Sequence, residues 1–271
     1  MGTKLQDLDI KLFADGADKA QIAKQPWIKG FTTTPSLMKA AGVTDYVSYA
    51  RELVAAAPDR HISFEVFSDD IPEMIEQARV ISTWGPNVYV KLPVTTTRGE
   101  PLFQAVHALS RDGIQINLTA VFTVRGRLLF EAAHAAELGI HLLRRLLTSE
   151  QVVSGIEALS GGAPACVSVF AGRLADAGID HRPIMRDAVA RARQTGNVEI
   201  IWASTREVFN VIEANEIECH IITAPAAVLK KLPSLGTITA SELSLDPVKA
   251  FREDAVAAGL LLPVAAQRAA E

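Results

Sequence analysis

The sequence predicts a single (β/α)8 barrel spanning residues 1–271, and three observations carry that expectation. Short apolar runs alternate with helix-like stretches, eight such runs stand out between residues 11 and 225, and the chain has 271 residues. That is the count and size of eight β-α units. Strands separated by helices pair in parallel through right-handed crossovers. The alternative is an open doubly wound sheet, which would carry a glycine-rich phosphate fingerprint after its first strand. None follows residues 11–16.

The expected strands, in order, are KLFADG (11–16), GFTTTP (30–35), ISFEVF (62–67), VYVKLP (88–93), QINLTAVFT (115–123), CVSVFAG (166–172), VEIIWAS (198–204) and CHIITAP (219–225). Each is a short run of apolar, often β-branched or aromatic residues bounded by turn formers. Helical patterns lie between them: VSYARELVAAA, DIPEMIEQARVISTW, LFQAVHALSRDG, IMRDAVARARQTG and REVFNVIEAN. The last two end in Gly196 and Asn215, residues suited to helix C-caps. Beyond the eighth strand, Asp246-Pro247 reads as a start signal for an extra helix, within a C-terminal region of helix and tail over 240–271.

Composition narrows the function classes. Apolar residues make up 49% and charged residues 21%, enough for a full core with an ordinary surface. The net charge of −4 disfavours a nucleic-acid or anionic-membrane partner. Residues 1–13 lack the apolar segment of a signal peptide, and no uncharged apolar run approaches the length of a membrane span. A cytoplasmic protein is expected. Cys166 and Cys219 lie far apart in apolar runs and read as reduced core residues. The six histidines are scattered and read as structural, and no metal site or cofactor is expected.

In a barrel of this kind, catalytic groups gather at the C-terminal strand ends. The polar residues there are Asp15 (strand 1), Thr34 (strand 2), Glu65 (strand 3) and Lys91 (strand 4). Asn117 and Thr119 come from strand 5, Ser168 and Arg173 from strand 6, Ser204 and Arg206 from strand 7. Polar groups that interrupt apolar strands are costly in a core but useful around one mouth. Lys91 is the most pointed case, a single ammonium in Val88-Tyr89-Val90-Lys91-Leu92-Pro93. An amine in a low-dielectric pocket is a nucleophile toward carbonyls and forms a Schiff base. Asp15 and Glu65 are the candidate acid/base groups for moving a hydroxyl proton. Two arginines with interleaved serines suit a phosphate. The residues therefore point to a metal-free Schiff-base aldolase or transferase acting on a sugar phosphate.

At these residues the chain resembles the transaldolase family, including the branch that contains fructose-6-phosphate aldolase, over roughly residues 10–260. FADGAD, TTTPS, VYVKLPVT, NLTAVFT, VSVFAGR and WASTR resemble its motifs in order. The resemblance implies Asp15 as acid/base, Lys91 as the Schiff-base lysine, and Thr119 as the residue positioning the catalytic water with Glu65. It implies substrate contacts from Thr34, Asn117, Ser168, Phe170, Arg173, Ser204 and Arg206. Glu65 and Phe170 are similar to the transferase branch, where the aldolase branch has Gln and Tyr. The implied reaction is transfer of a dihydroxyacetone unit in the pentose phosphate pathway, with a simple aldolase or a catalytically weak sugar-phosphate-binding protein as alternatives.

Two departures stand out. Thr34 occupies the place of a family Asn, and a hydroxyl offers fewer bonds than an amide. Residues 124–149 form an apparent insertion after strand 5, with the spacing of one or two amphipathic helices. On the catalytic face of a barrel, such a segment is expected to act as a partial lid or as a contact in a homo-oligomer.

Overall fold

The structure, a computed structural model, describes residues 3–16, 25–122 and 151–260. The expected insertion over 124–149 and the tail beyond residue 260 lie outside the described residues. Contacts divide the chain into two compact units, Asp9–Lys230 and a second made of Met1–Leu8 with Lys231–Glu271.

The larger unit is a closed barrel of eight strands in sequence order. They are β1 (Lys11–Asp15), β2 (Ile28–Thr32), β3 (His61–Glu65), β4 (Val88–Pro93), β5 (Ile116–Val121), β6 (Ala165–Val169), β7 (Val198–Trp202) and β8 (Ile221–Pro225). Every neighbouring pair is parallel, and β8 returns to pair with β1. Each expected strand is present, within a few residues of its expected ends. The reason lies in the burial: a barrel strand is covered by helices outside and filled by side chains inside, so it reads as a nearly unbroken apolar run. All of β6 is buried, as is the centre of every other strand. Phe13, Cys166, Ile201, Ala203 and Ile221 form one cluster, with Tyr89 and Phe170 packed against it. Both cysteines are free and buried.

The helices α1 (Pro35–Ala40), α2 (Tyr46–Ala56), α3 (Ile71–Ser82), α4 (Phe103–Arg111), α5 (Gln151–Leu159), α6 (Ala171–Asp176), α7 (Arg182–Ala192), α8 (Phe209–Glu216) and α9 (Ala226–Leu229) follow the strands. Thr34, Asp45 and Asp70 cap α1, α2 and α3 by accepting a backbone N–H three residues on. Each satisfies one of the otherwise unpaired amides of a first helical turn. The expected C-caps differ. Helix α7 ends at Ala192, before Gly196, and α8 runs through Asn215, whose side-chain oxygen instead accepts N–H groups of Asp9 and Ile10.

The second unit contains two short 3-10 turns, Leu5–Asp7 and Leu232–Ser234, and helix α10 (Ala240–Ala257). The extra helix is present, but Asp246-Pro247 does not start it. Thr239 and Glu242 form a capping box there, and Pro247 lies inside the helix. That reciprocal box satisfies two amides at once and outranks a proline placed later. Among the described residues, no helix is long and apolar enough to cross a membrane.

Candidate active site

The register of three neighbouring strands places Glu65 beside Lys91, and Lys91 beside Asn117. Lys91 is the fourth residue of β4 and only 5% exposed. Its ammonium donates to the Thr33 carbonyl oxygen at 3.0 Å and to Glu65 Oε2 at 3.4 Å. A buried lysine is tolerated when its donors are met. Two partners hold the amine, and the same side chain lines a cavity of about 280 Å³ at the C-terminal end of the barrel.

Asp15 ends β1 and faces the same cavity. Thr32 Oγ1 donates to its carboxylate at 3.2 Å and lies 2.5 Å from Thr223 Oγ1. Burial raises the Asp15 pKa, against the smaller lowering effects of the Lys91 charge and the Thr32 hydrogen bond. A carboxyl whose proton affinity is raised by burial is better suited than an exposed one to give and take a proton.

Of the sequence-derived candidates, Asp15, Thr34, Lys91, Thr119, Ser168, Phe170, Arg173, Ser204 and Arg206 line the cavity together. Thr119 Oγ1 is buried and, among the described residues, has no hydrogen-bond partner. Buried polar atoms are normally paired, so this hydroxyl is open to water or substrate. Two candidates stand elsewhere. Glu65 reaches the amine from the side and lines a separate hollow with Tyr46, Phe67 and Trp84. Asn117 is fully buried, its amide bonded to Ser63 at 3.0 Å and to Ser168 at 2.7 Å.

Thr34 reaches the cavity, but Oγ1 accepts the Leu37 N–H at 3.3 Å and pairs with Ser36 at 3.1 Å. Its hydroxyl is largely committed to capping α1. Across the cavity, the Arg173 guanidinium lies 5.4 Å from the centre of the Phe170 ring, which packs on Phe122 at 5.3 Å. Arg206 Nη2 is 2.6 Å from Asp176 Oδ2. Ser204 adopts a positive φ of 65°. Its carbonyl oxygen lies where a Cβ on Gly172 would come within 1.6 Å, so the start of α6 and the Ser204 loop fit only because residue 172 is glycine.

Strand inspection missed Thr32, Thr205 and Thr223, which also line the cavity. The same signal applies to Thr223, a polar residue inside the apolar run IITAP. Among the described residues, no group of side chains is arranged to hold a metal ion.

A family model described as Transaldolase/Fructose-6-phosphate aldolase matches residues 12–262. A protein named "Probable transaldolase" from Dehalococcoides mccartyi is 30% identical over 82% of this chain and 90% of its own. One of the same name from Thermoanaerobacter sp. is 30% identical over 93% of this chain and 99% of its own. "Probable transaldolase 2" from Listeria monocytogenes is 30% identical over 82% and 88%.

Proposed function

The chain belongs to the transaldolase/fructose-6-phosphate aldolase family, and from that premise we propose that it moves a dihydroxyacetone unit from a ketose phosphate to an aldose phosphate through a Schiff base on Lys91. The observation that carries this reading is the buried Lys91 amine at the cavity wall, hydrogen-bonded to Thr33 and Glu65 with Asp15 on the same cavity.

The Lys91 ammonium gives a proton to the adjacent Glu65 carboxylate, the freed amine adds to the ketose C2 carbonyl, and loss of water leaves an iminium ion. Asp15 takes the C4 hydroxyl proton as the C3–C4 bond breaks. The bonding pair moves into the iminium, giving an enamine, and an aldose phosphate leaves. The enamine then attacks the acceptor aldehyde, whose oxygen takes a proton from Asp15, and water held by the open Thr119 hydroxyl adds to the new iminium carbon, releasing the ketose product and the Lys91 amine. Acid/base assistance of this kind contributes about 10²–10⁴ in rate. Arg173, Arg206 and Ser204 receive the phosphate, to which guanidinium groups are geometrically matched.

A simple aldolase is the second reading. Phe170 argues against it, because a phenyl ring at that wall carries no exchangeable proton. Cytoplasmic location, a place in the pentose phosphate pathway and a homo-oligomeric state accompany the transferase reading as proposals. The deciding experiment supplies fructose 6-phosphate with erythrose 4-phosphate and assays sedoheptulose 7-phosphate. Its formation is the expected result. Release of free dihydroxyacetone without it would favour the aldolase.

A further inference from the structure

Where β2 leaves the sheet, a side chain supplies a hydrogen bond that the backbone cannot. Pairing of β2 with β3 ends at Thr32 and Ser63, and beyond it the Thr33 N–H donates to the Ser63 carbonyl oxygen at 3.2 Å. In a parallel ladder the next β3 carbonyl on that side belongs to Glu65, and its donor would be the amide of residue 35. Residue 35 is proline, the first residue of α1, and has no N–H. The Tyr46 hydroxyl fills the gap, donating to the Glu65 carbonyl oxygen at 3.0 Å.

Tyr46 is held firmly in that place. It opens α2 directly after the Asp45 cap, whose carboxylate accepts the Ser48 N–H at 3.1 Å. Its ring packs on Phe67, Trp84 and Phe64, with centres 4.6, 5.5 and 6.0 Å away. Burial raises its pKa, so the phenol keeps its proton and remains a donor. The residue it bonds ends β3, and the Glu65 carboxylate lies 3.4 Å from Lys91 Nζ. The phenol also meets the Thr33 side chain, and the Thr33 carbonyl is the second partner of the same amine. One phenol thus touches both residues whose oxygens hold the Lys91 ammonium.

We propose that Tyr46 is a positioning residue for the Schiff-base lysine: its hydroxyl replaces the sheet bond that Pro35 cannot make and so keeps the Glu65 carboxylate beside the Lys91 amine. This rests on the Lys91 reading above and deepens it. Tyr46 lines the separate hollow with Phe67 and Trp84, not the 280 Å³ cavity, so its effect on the chemistry passes through Glu65 and Thr33. Without the hydroxyl, the Glu65 carbonyl has lost its donor, and an unmet carbonyl turns toward water. Turning that peptide carries the carboxylate away from the amine.

The first test needs no substrate. Trace acetic anhydride acylates uncharged amines, and peptide mapping reads the rate at Lys91 in the parent, Tyr46→Phe, Glu65→Gln and the double variant. An amine parted from its carboxylate gives up a proton more readily, so Glu65→Gln is expected to raise the rate. Tyr46→Phe is expected to raise it about three- to tenfold, but less than about twofold once residue 65 is glutamine. An unchanged rate in Tyr46→Phe, or an equal gain in both backgrounds, overturns the proposal whether or not Lys91 forms an imine. The second test times the imine, adding fructose 6-phosphate, quenching with borohydride at intervals and weighing the Lys91 peptide. A misplaced amine meets the bound carbonyl less often, so Tyr46→Phe is expected to slow trapping about three- to tenfold in the parent background alone. Equal slowing in both backgrounds is the mark of a general structural role and overturns the proposal. A parent without adduct overturns the Schiff-base reading instead, and the acylation series still decides whether Tyr46 sets the amine.

Discussion

Glu65 and Lys91 occupy paired positions on β3 and β4, with Nζ 3.4 Å from Oε2, yet only the lysine lines the 280 Å³ cavity. The carboxylate thus acts on the amine from behind. The Thr33 carbonyl fixes a second direction, and the Lys91 side chain is left facing the cavity. Removing one member of a buried, hydrogen-bonded pair leaves the other uncompensated. The pair accordingly bears on both the stability and the chemistry of the site.

Asp15 provides the clearest trade between the two. Its folded pKa is raised, chiefly by burial. For a raised carboxyl, the folded state holds the proton more tightly than the unfolded state. Stability therefore falls as pH rises from the unfolded pKa of about 3.8 through the folded value. Asp15→Asn is expected to melt higher than the parent at pH 7, by about 2–4 °C for each kcal/mol relieved. The gap should close toward pH 4, and turnover should fall about 10²-fold or more. Paired melting curves at the two pH values, with an activity assay, check it.

Thr34→Asn separates capping from substrate binding. Asparagine caps helices at least as well as threonine, so α1 should be retained and the melting temperature should change little. The added amide would offer new bonds to the cavity that the committed Thr34 hydroxyl does not. We expect kcat/KM for fructose 6-phosphate to rise about two- to tenfold. Steady-state kinetics beside a melting curve decide whether the threonine limits the present enzyme.

Asp176→Asn tests the counter-charge on Arg206. The pair is half exposed, and surface ion pairs contribute little to stability. Freed of its carboxylate, Arg206 should bind phosphate better. KM for fructose 6-phosphate is expected to fall about two- to fivefold, with fructose unaffected, and the difference should shrink as salt is raised. A titration of KM against ionic strength with both sugars reads this directly.

Much of this site was legible because a polar residue in an apolar strand end is costly unless it serves a purpose. Lys91, Asp15, Thr119 and Ser168 were visible for that reason, and so were the strands that carry them. What the sequence hid depends on pairing between distant segments. Nothing local says that Glu65 approaches the amine from behind, that Asn117 lies beneath the cavity rather than on it, or that Tyr46 bonds the Glu65 carbonyl. The Thr34 hydroxyl is drawn away from substrate because helix α1 begins immediately after it and takes it as a cap. Asp246-Pro247 resembles a helix start in isolation, but the capping box of Thr239 and Glu242 has already begun the helix upstream of it.

The central claim is that the Lys91 amine is the nucleophile. Incubating the protein with fructose 6-phosphate, reducing with borohydride and mapping the mass increase by peptide tests it most directly. The account requires a reduced sugar-derived adduct on Lys91, absent from Lys91→Met. An unmodified protein, or an adduct on any other lysine, would contradict it.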